Sequence, residues 1–497
     1  MTLSLSVAPA DSPTIRRLPR LPGARALAGL DVLLLVAPKA GSALFERLPE
    51  AARWRSLHQR APARAGQARS TTLANARSTF AVLGHAADAS SAFQRLELAG
   101  RMLHELGELR PARIAVLVAP ELAERAGWYE ALVAAVLAWN HVPPDYRSKP
   151  SPRRRLRSLE LHAAPPLDLA RIGAAARGTN LVRQLTALPP NVLDARGYRR
   201  LLARLARRHG LALRWYPERA LRRLGCGAFL AVARGNAARD AGIAHLRWRG
   251  HGRRRGAPVA LVGKGILFDT GGTNLKPHRH MLDMHTDMAG SAVALATLVA
   301  LAELDTPYPV DAWLAITENN IGPSAYRPQE VVRAANGTTI QVIHTDAEGR
   351  MALADTLVLA ARRRPRLLVD FATLTGSCIQ ALTERYSGVF ARDAALAERA
   401  RQAGAASGER VWPFPLDADF DADLDSRVAD VKQCTIDSKG DHILAARFLA
   451  RFVPDALPWL HVDLASAVRT GGLAHVGDDI TGFGVRFALA LLAAEPA

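Results

Sequence analysis

Two stretches of this 497-residue chain concentrate the side chains able to do chemistry. The first, VGKGILFDTGGTNLKPHRHMLDMHTDMAG, runs from Val262 to Gly290 and carries Lys264, Asp269, Lys276, Asp283 and Asp287 around the Gly271-Gly272 pair. The second, HTDAEGRMALAD, runs from His344 to Asp355 and sets Asp346, Glu348 and Arg350 on alternate positions. In an extended segment that alternation turns all three side chains to one side. Acids converging this way are costly unless neutralised, and hard oxygen donors suit divalent cations such as Mg²⁺, Mn²⁺ or Zn²⁺. Four or more carboxylates with no histidine or cysteine among them fit a two-metal site, whose ions sit roughly 3.5–4 Å apart and share bridging carboxylates.

Each piece has a plainer reading. The GKG after an apolar run lacks the GxxxxGK[ST] and GxGxxG patterns of phosphate and dinucleotide loops. Asp269 before two glycines can be turn chemistry, Lys264 a solvated side chain, and the alternating acids the wet face of an edge strand. One compositional fact sharpens the case. The chain has only six lysines among its many basic residues, and Lys264 and Lys276 stand twelve residues apart in the first cluster. Arginine does not replace a compact ammonium, or a lysine able to lose its proton.

The elements that must hold these residues alternate along the chain. LDVLLLVAP and RIAVLVAP read as buried strands, and SAFQRLELAGRMLHEL and LAERAGWYEALVAAVLAWN as helices, giving a small N-terminal α/β domain. The Pro- and Arg-rich stretch from Tyr146 to Pro166 reads as a connection, so the division falls at 1–165 and 166–497. Beyond it, strands GIAHLRWRG, PVALVGKG, VDAWLAI, RLLVDFA and WLHVDLA alternate with helices SAVALATLVALAEL, ADTLVLAARRR and HILAARFLARFV. The fold class expected is α/β, with a larger C-terminal domain whose mostly parallel central sheet is covered by helices. In such sheets ligands gather beyond the carboxyl ends of strands, where both clusters fall.

Composition narrows the setting. Hydrophobic residues at 49% and charged ones at 22% fit a folded globular chain rather than a disordered one. No membrane span is expected from the apolar runs, and the first twenty residues do not read as a secretory signal. Cys226, Cys378 and Cys434 are far apart without a CxxC pair, which argues against disulfides and thiolate zinc and for a reducing cytoplasm. The net charge of +19 comes from arginine scattered over the whole chain, a pattern of solvated faces more than of a nucleic-acid groove.

The two clusters together resemble the leucine aminopeptidase family of two-metal metallo-aminopeptidases. The likeness runs in order through LPPN near Asn191, VGKGILFDTGG from Val262, DMAGS from Asp287, TDAEGR from Thr345 and DFATLTGS from Asp370. TENNIGPSAYRP and WLHVDLASA add weaker similarity, so residues 180–490 are covered. The resemblance implies two divalent ions per chain, Mn²⁺ or Zn²⁺, held by Lys264, Asp269, Asp287, Asp346 and Glu348, with Asp269 and Glu348 bridging. It implies that Lys276 polarises the scissile carbonyl and that Arg350 holds a bicarbonate acting as general base. Met284, Thr373, Gly376 and Ala465 would line an apolar pocket for the first side chain, with main-chain groups around Leu374 assisting. Peptide substrates, a preference for leucine-like first residues and a homohexamer are implied as well. A DNA-binding regulator on the same scaffold is the rival reading, supported by the charge. His344, Thr273 and Asn274 depart from the family's usual residues at their positions, leaving substrate preference open, and Cys226 is expected as a small buried residue.

Overall fold

The computed structural model describes residues 13–60, 64–150, 155–251 and 256–493. The first strands are β1 (Thr14–Leu18), β2 (Val32–Pro38), β3 (Ala68–Thr72), β4 (Phe80–Ala86), β5 (Arg113–Val118) and β6 (Ser158–His162). They form one sheet in the order β1-β6-β5-β2-β4-β3, parallel except where β3 meets β4. The apolar runs of β2 and β5 are buried throughout, as central parallel strands require. They share a core with the helices Ala92–His104 and Arg125–Trp139. Ser91 starts the first of these helices through a reciprocal capping box with Gln94.

One element departs from the sequence reading. Within the stretch read as a connection, Ser158–His162 is a strand held between β1 and β5. SLELH alternates, with Leu159 and Leu161 fully buried, but the alternation is short and follows an Arg-rich flank. Residues 151–154 of that stretch, and the N-terminal residues 1–12, lie outside the described residues.

The second sheet comprises β7 (Ala212–Pro217), β8 (Gly242–Trp248), β9 (Val259–Asp269), β10 (Val310–Asn319), β13 (Leu367–Ala372), β14 (Ser387–Ala391), β15 (Val411–Pro413) and β17 (Trp459–Asp463). Its order is β15-β14-β17-β13-β9-β10-β8-β7, and the central four, β17-β13-β9-β10, are parallel. A small sheet of β11 (Val331–Arg333), β12 (Thr339–Gln341) and β16 (Val431–Lys432) lies apart from it.

Alternation along β9 places the chemistry. Val259 and Leu261 enter the core containing the helix Ala289–Glu303, whereas Ala260 and Val262 enter the one containing the helix Glu348–Ala361. Lys264 shares the parity of the second pair and so points toward Glu348. Gly263 and Gly265 share the first parity, and a Cβ on either would come within 2.5 or 3.0 Å of Ser291. Glycine here lets the helix lie directly on the strand. The segment 278–303 is apolar enough to pass for a membrane span, but 89% of its most apolar window is buried inside the fold. It is a core element.

Candidate active site

The site gathers where β9 ends. Lys264, 3% exposed, donates from Nζ to Asp287 Oδ1 at 2.8 Å and to the Thr373 carbonyl at 2.8 Å. Its Nζ also lies 3.1 Å from Glu348 Oε1. Five residues further, Asp269 Oδ1 accepts from the Gly271 N–H and from Asn319 Nδ2, both at 2.8 Å. The chain then turns back through Gly271 and Gly272, at φ +85° and +63°, left-handed conformations suited to glycine. That reversal brings Lys276 home, 2.9 Å from Asp269 Oδ2 and 2.6 Å from Asp346 Oδ1.

The second cluster is not an extended segment. Asp346 sits in a turn, and Glu348 opens the helix Glu348–Ala361. The residues still converge, because a turn entering a helix aims the first-turn side chains inward. Carboxylate oxygens of Asp269, Asp346 and Glu348 lie within 4.8 Å of one another. Asp287, beside the short helical turn Met284–Thr286, stands outside this trio and joins it through Lys264. Asp283 is exposed and takes no part in these contacts.

Crowded burial shifts these acids. Burial, with Asp269 adjacent, pushes the Glu348 carboxyl up to about 8, and it lifts Asp287 and Asp346 to about 6. Burial opposes both ammonium groups, yet the surrounding carboxylates hold Lys264 and Lys276 protonated well above the ordinary lysine value. Asp287 Oδ2 is a buried oxygen with no hydrogen-bond partner, and Asp346 Oδ1 and Glu348 Oε1 face only a lysine ammonium each. Hard, converging, under-satisfied oxygens fit divalent cations.

Polar residues around the two clusters hold this arrangement. Asn319 bridges Asp269 and the Thr345 carbonyl, which also accepts from the Tyr326 hydroxyl at 2.8 Å. Asn274, one of the departures, accepts from the Thr345 N–H at 2.9 Å, while its own N–H donates to Thr345 Oγ1 at 2.8 Å. Thr273 Oγ1 donates to the Tyr326 carbonyl. Gln433 accepts from the N–H groups of Ile343 and His344 and donates to the Ala347 carbonyl. His344 is itself exposed, and its Nδ1 accepts from the Asp346 N–H at 3.3 Å. Of these braces, Asn319 and Tyr326 belong to TENNIGPSAYRP and Thr345 to TDAEGR, whereas Gln433 has no local sequence pattern.

Arg350 is 2% exposed, and its guanidinium fork is filled from within the chain. Nη1 donates to Asp441 Oδ1 at 2.9 Å and Nη2 to Asp441 Oδ2 at 2.7 Å, with the Gln433 carbonyl 3.2 Å from Nη1. Nearby, Asp463 accepts from the N–H of Leu374 and from the Thr375 hydroxyl, fixing the loop after β13. Thr373 donates to Asp287 Oδ1 at 2.7 Å. Met284 and Leu374 are half-buried, Gly376 is exposed and Ala465 is buried. A cleft of about 740 Å³ lined by Arg362, Arg392, Arg447 and Asp421 contains none of these residues.

Residues 180–489 match the model of the cytosol aminopeptidase family's catalytic domain. The chain belongs to that family. It is a family of metal-dependent aminopeptidases, and this chain carries its catalytic domain. A relative from Parasynechococcus marenigrum (strain WH8102), named "Probable cytosol aminopeptidase", is 41% identical over 69% of this chain and 71% of its own length. Another of that name, from Desulfovibrio desulfuricans, is 43% identical over 59% of each. Among solved structures, the bottromycin maturation enzyme BotP in complex with Mn is 31% identical, with a TM-score of 0.81 over 93% of this chain and 99% of that one. The apo leucyl aminopeptidase from Trypanosoma cruzi, 24% identical, shares the fold at a TM-score of 0.84 over 97% of this chain. The likenesses to these two solved structures extend into the N-terminal sheet, beyond the stretch the family model covers.

Proposed function

We propose that this chain removes the N-terminal residue of peptides, hydrolysing the first peptide bond with the help of two divalent cations, Mn²⁺ or Zn²⁺. The observation that carries the reading is the convergence of Asp269, Asp346 and Glu348 within 4.8 Å, with Lys264 and Asp287 hydrogen-bonded beside them. In this reading Asp269 and Glu348 would be ligands shared by the two ions, Lys264 and Asp287 would serve one of them, and Asp346 would serve the other. When bound, such a pair would supply Lewis acidity and make water a nucleophile near neutral pH.

The protein's own groups do the rest. Lys264 would serve as a ligand in its neutral amine form. Lys276 places an ammonium against the scissile carbonyl and steadies the oxyanion that forms there. Leu374, on the loop fixed by Asp463, supports the same carbonyl region, and Met284, Thr373, Gly376 and Ala465 receive the first side chain. Their largely apolar character favours leucine-like residues. We further propose the family's homohexamer, a cytoplasmic setting and a division of the chain at 165/166.

Metal analysis joined to a panel of amino-acid amides tests this. About two ions per chain and faster turnover of leucinamide than of charged amides are expected. A chain that stays metal-free in Mn²⁺ or Zn²⁺, or that releases no N-terminal residue when loaded, would refute it.

A further inference from the structure

Arg350 and Asp441 are 91 residues apart in sequence, yet each stands in the first turn of a helix, Glu348–Ala361 and Asp441–Ala450. Both terminal nitrogens of the guanidinium meet both oxygens of the carboxylate, the paired geometry that a planar bidentate anion also adopts. Gly440, left-handed at φ +59°, precedes Asp441 and sets the direction of entry into its helix. The Gln433 carbonyl covers Nη1, and the whole Arg350 side chain is 2% exposed. A soluble carboxylate or bicarbonate approaching this fork meets a fixed negative charge already in place, and like charges at contact repel.

We propose that Asp441 is the built-in occupant of the anion slot on Arg350, taking the place that the family resemblance gives to bicarbonate. This rests on the aminopeptidase reading for its role in turnover, but not for its binding chemistry. Asp441 acts through Arg350, so it is a positioning residue: it fixes the guanidinium beside Glu348 without an ion drawn from solution. Turnover should therefore not depend on added carboxylate anions.

The test compares the Mn²⁺-loaded enzyme in CO₂-stripped buffer and in the same buffer with added sodium bicarbonate. Wild-type turnover is expected to be the same in both. Asp441→Gly opens the slot, and its activity should fall and then recover by about tenfold or more with bicarbonate or formate, the scale on which supporting residues of metal sites act. Asp441→Asn keeps the bulk without the charge, so it should fall without recovering. A residue needed only for folding would show no such anion rescue.

An activity-independent arm follows ¹³C-bicarbonate line broadening on the metal-free protein: none is expected for wild type, and saturable binding for Asp441→Gly that vanishes when Arg350→Ala is added. Bicarbonate stimulation of the wild type, or its saturable binding there with loss in Arg350→Ala, would overturn the proposal. Should Asp441→Gly not fold, the wild-type arms decide alone. Should the wild type turn over no peptide under any condition, the aminopeptidase reading fails while the binding arm still decides this one.

Discussion

Gly349→Ala probes the site through a single methyl group. Gly349 is the second residue of the helix Glu348–Ala361, and a Cβ there would lie 2.5 Å from Lys264 Cε and 2.8 Å from both Cδ and Nζ. Non-bonded carbons rest near 3.5–4.0 Å, so the end of Lys264 must retreat by roughly 1 Å. The obstacle is the tip of a flexible side chain, so the backbone can stay. Alanine improves the helix by about 1 kcal/mol over glycine, which offsets part of an overpacking cost of about 1–3 kcal/mol. The melting temperature should therefore move little. The ammonium, however, leaves positions 2.8 Å from Asp287 and from the Thr373 carbonyl. Displacing a ligand in this way should weaken ion binding by about 10–100-fold. Mn²⁺ titration with thermal melts on the same preparations measures both. Unchanged affinity and turnover would show that Lys264 is not a ligand, and loss of the folded state by circular dichroism would show that the methyl cannot be absorbed.

Lys276→Ala should retain both ions yet lose about two or more orders of magnitude in turnover, whereas Lys264→Ala should lose ions and recover partly at high Mn²⁺; metal content and rates measured together would refute the roles if the pattern is reversed. Asn274→Ala unpairs the buried Thr345 N–H, so chemical denaturation should show a loss of about 1–3 kcal/mol. Stability should also decline in mild acid. Burial, with Arg69 nearby, depresses His85 to about 4, and burial, with Arg183 nearby, depresses His141 to about 3. Both rings are neutral when folded but take up protons when unfolded below about 6.5. Their contribution is complete above that value and is lost as pH falls toward 4. Melting followed from pH 7.5 to 4.5 should show the decline, with a shallower slope in His85→Gln; an identical slope would remove His85 from the account.

Much of the architecture was legible because periodicity is local. The buried runs of β2, β5, β9, β13 and β17 and the long helices follow from apolar spacing alone. The stretch from His344 to Arg350 was not, for a physical reason. Acids at 346 and 348 mimic strand alternation over so few residues that a turn and a helix start look the same. Strand β6 escaped because its partners, β1 and β5, lie about 140 and 45 residues away. The site divides in the same way. Lys264, Asp269, Lys276, Asp346 and Glu348 sit in compact segments whose composition announces them. Asn319, Gln433, Asp441 and Asp463 reach the site through tertiary folding; Asn319 and Asp463 fall in stretches of weaker family similarity, whereas Gln433 and Asp441 look like ordinary polar residues in their own surroundings. Asp441 changes the expectation for Arg350, whose fork is filled by a residue that no local pattern singles out.

The glycines that bring helix and strand together also bear on how this protein can change over generations. A side chain at Gly263 would strike the backbone at Ser291 from 2.5 Å, one at Gly265 the Ala315 carbonyl from 2.7 Å, and one at Gly290 the Phe371 carbonyl from 2.2 Å. Each obstacle is main chain, which cannot step aside as a flexible side chain can. Drift at any of the three is therefore blocked before it begins, and compensation would require a strand and a helix to separate together. Arginine far outnumbers lysine in this chain, yet Lys264 lies between glycines that admit no neighbour but themselves. A saturation library across 262–290 should accordingly lose folded members at these three positions as sharply as at any carboxylate, leaving a lineage free to vary its exterior but not the bed on which Lys264 lies.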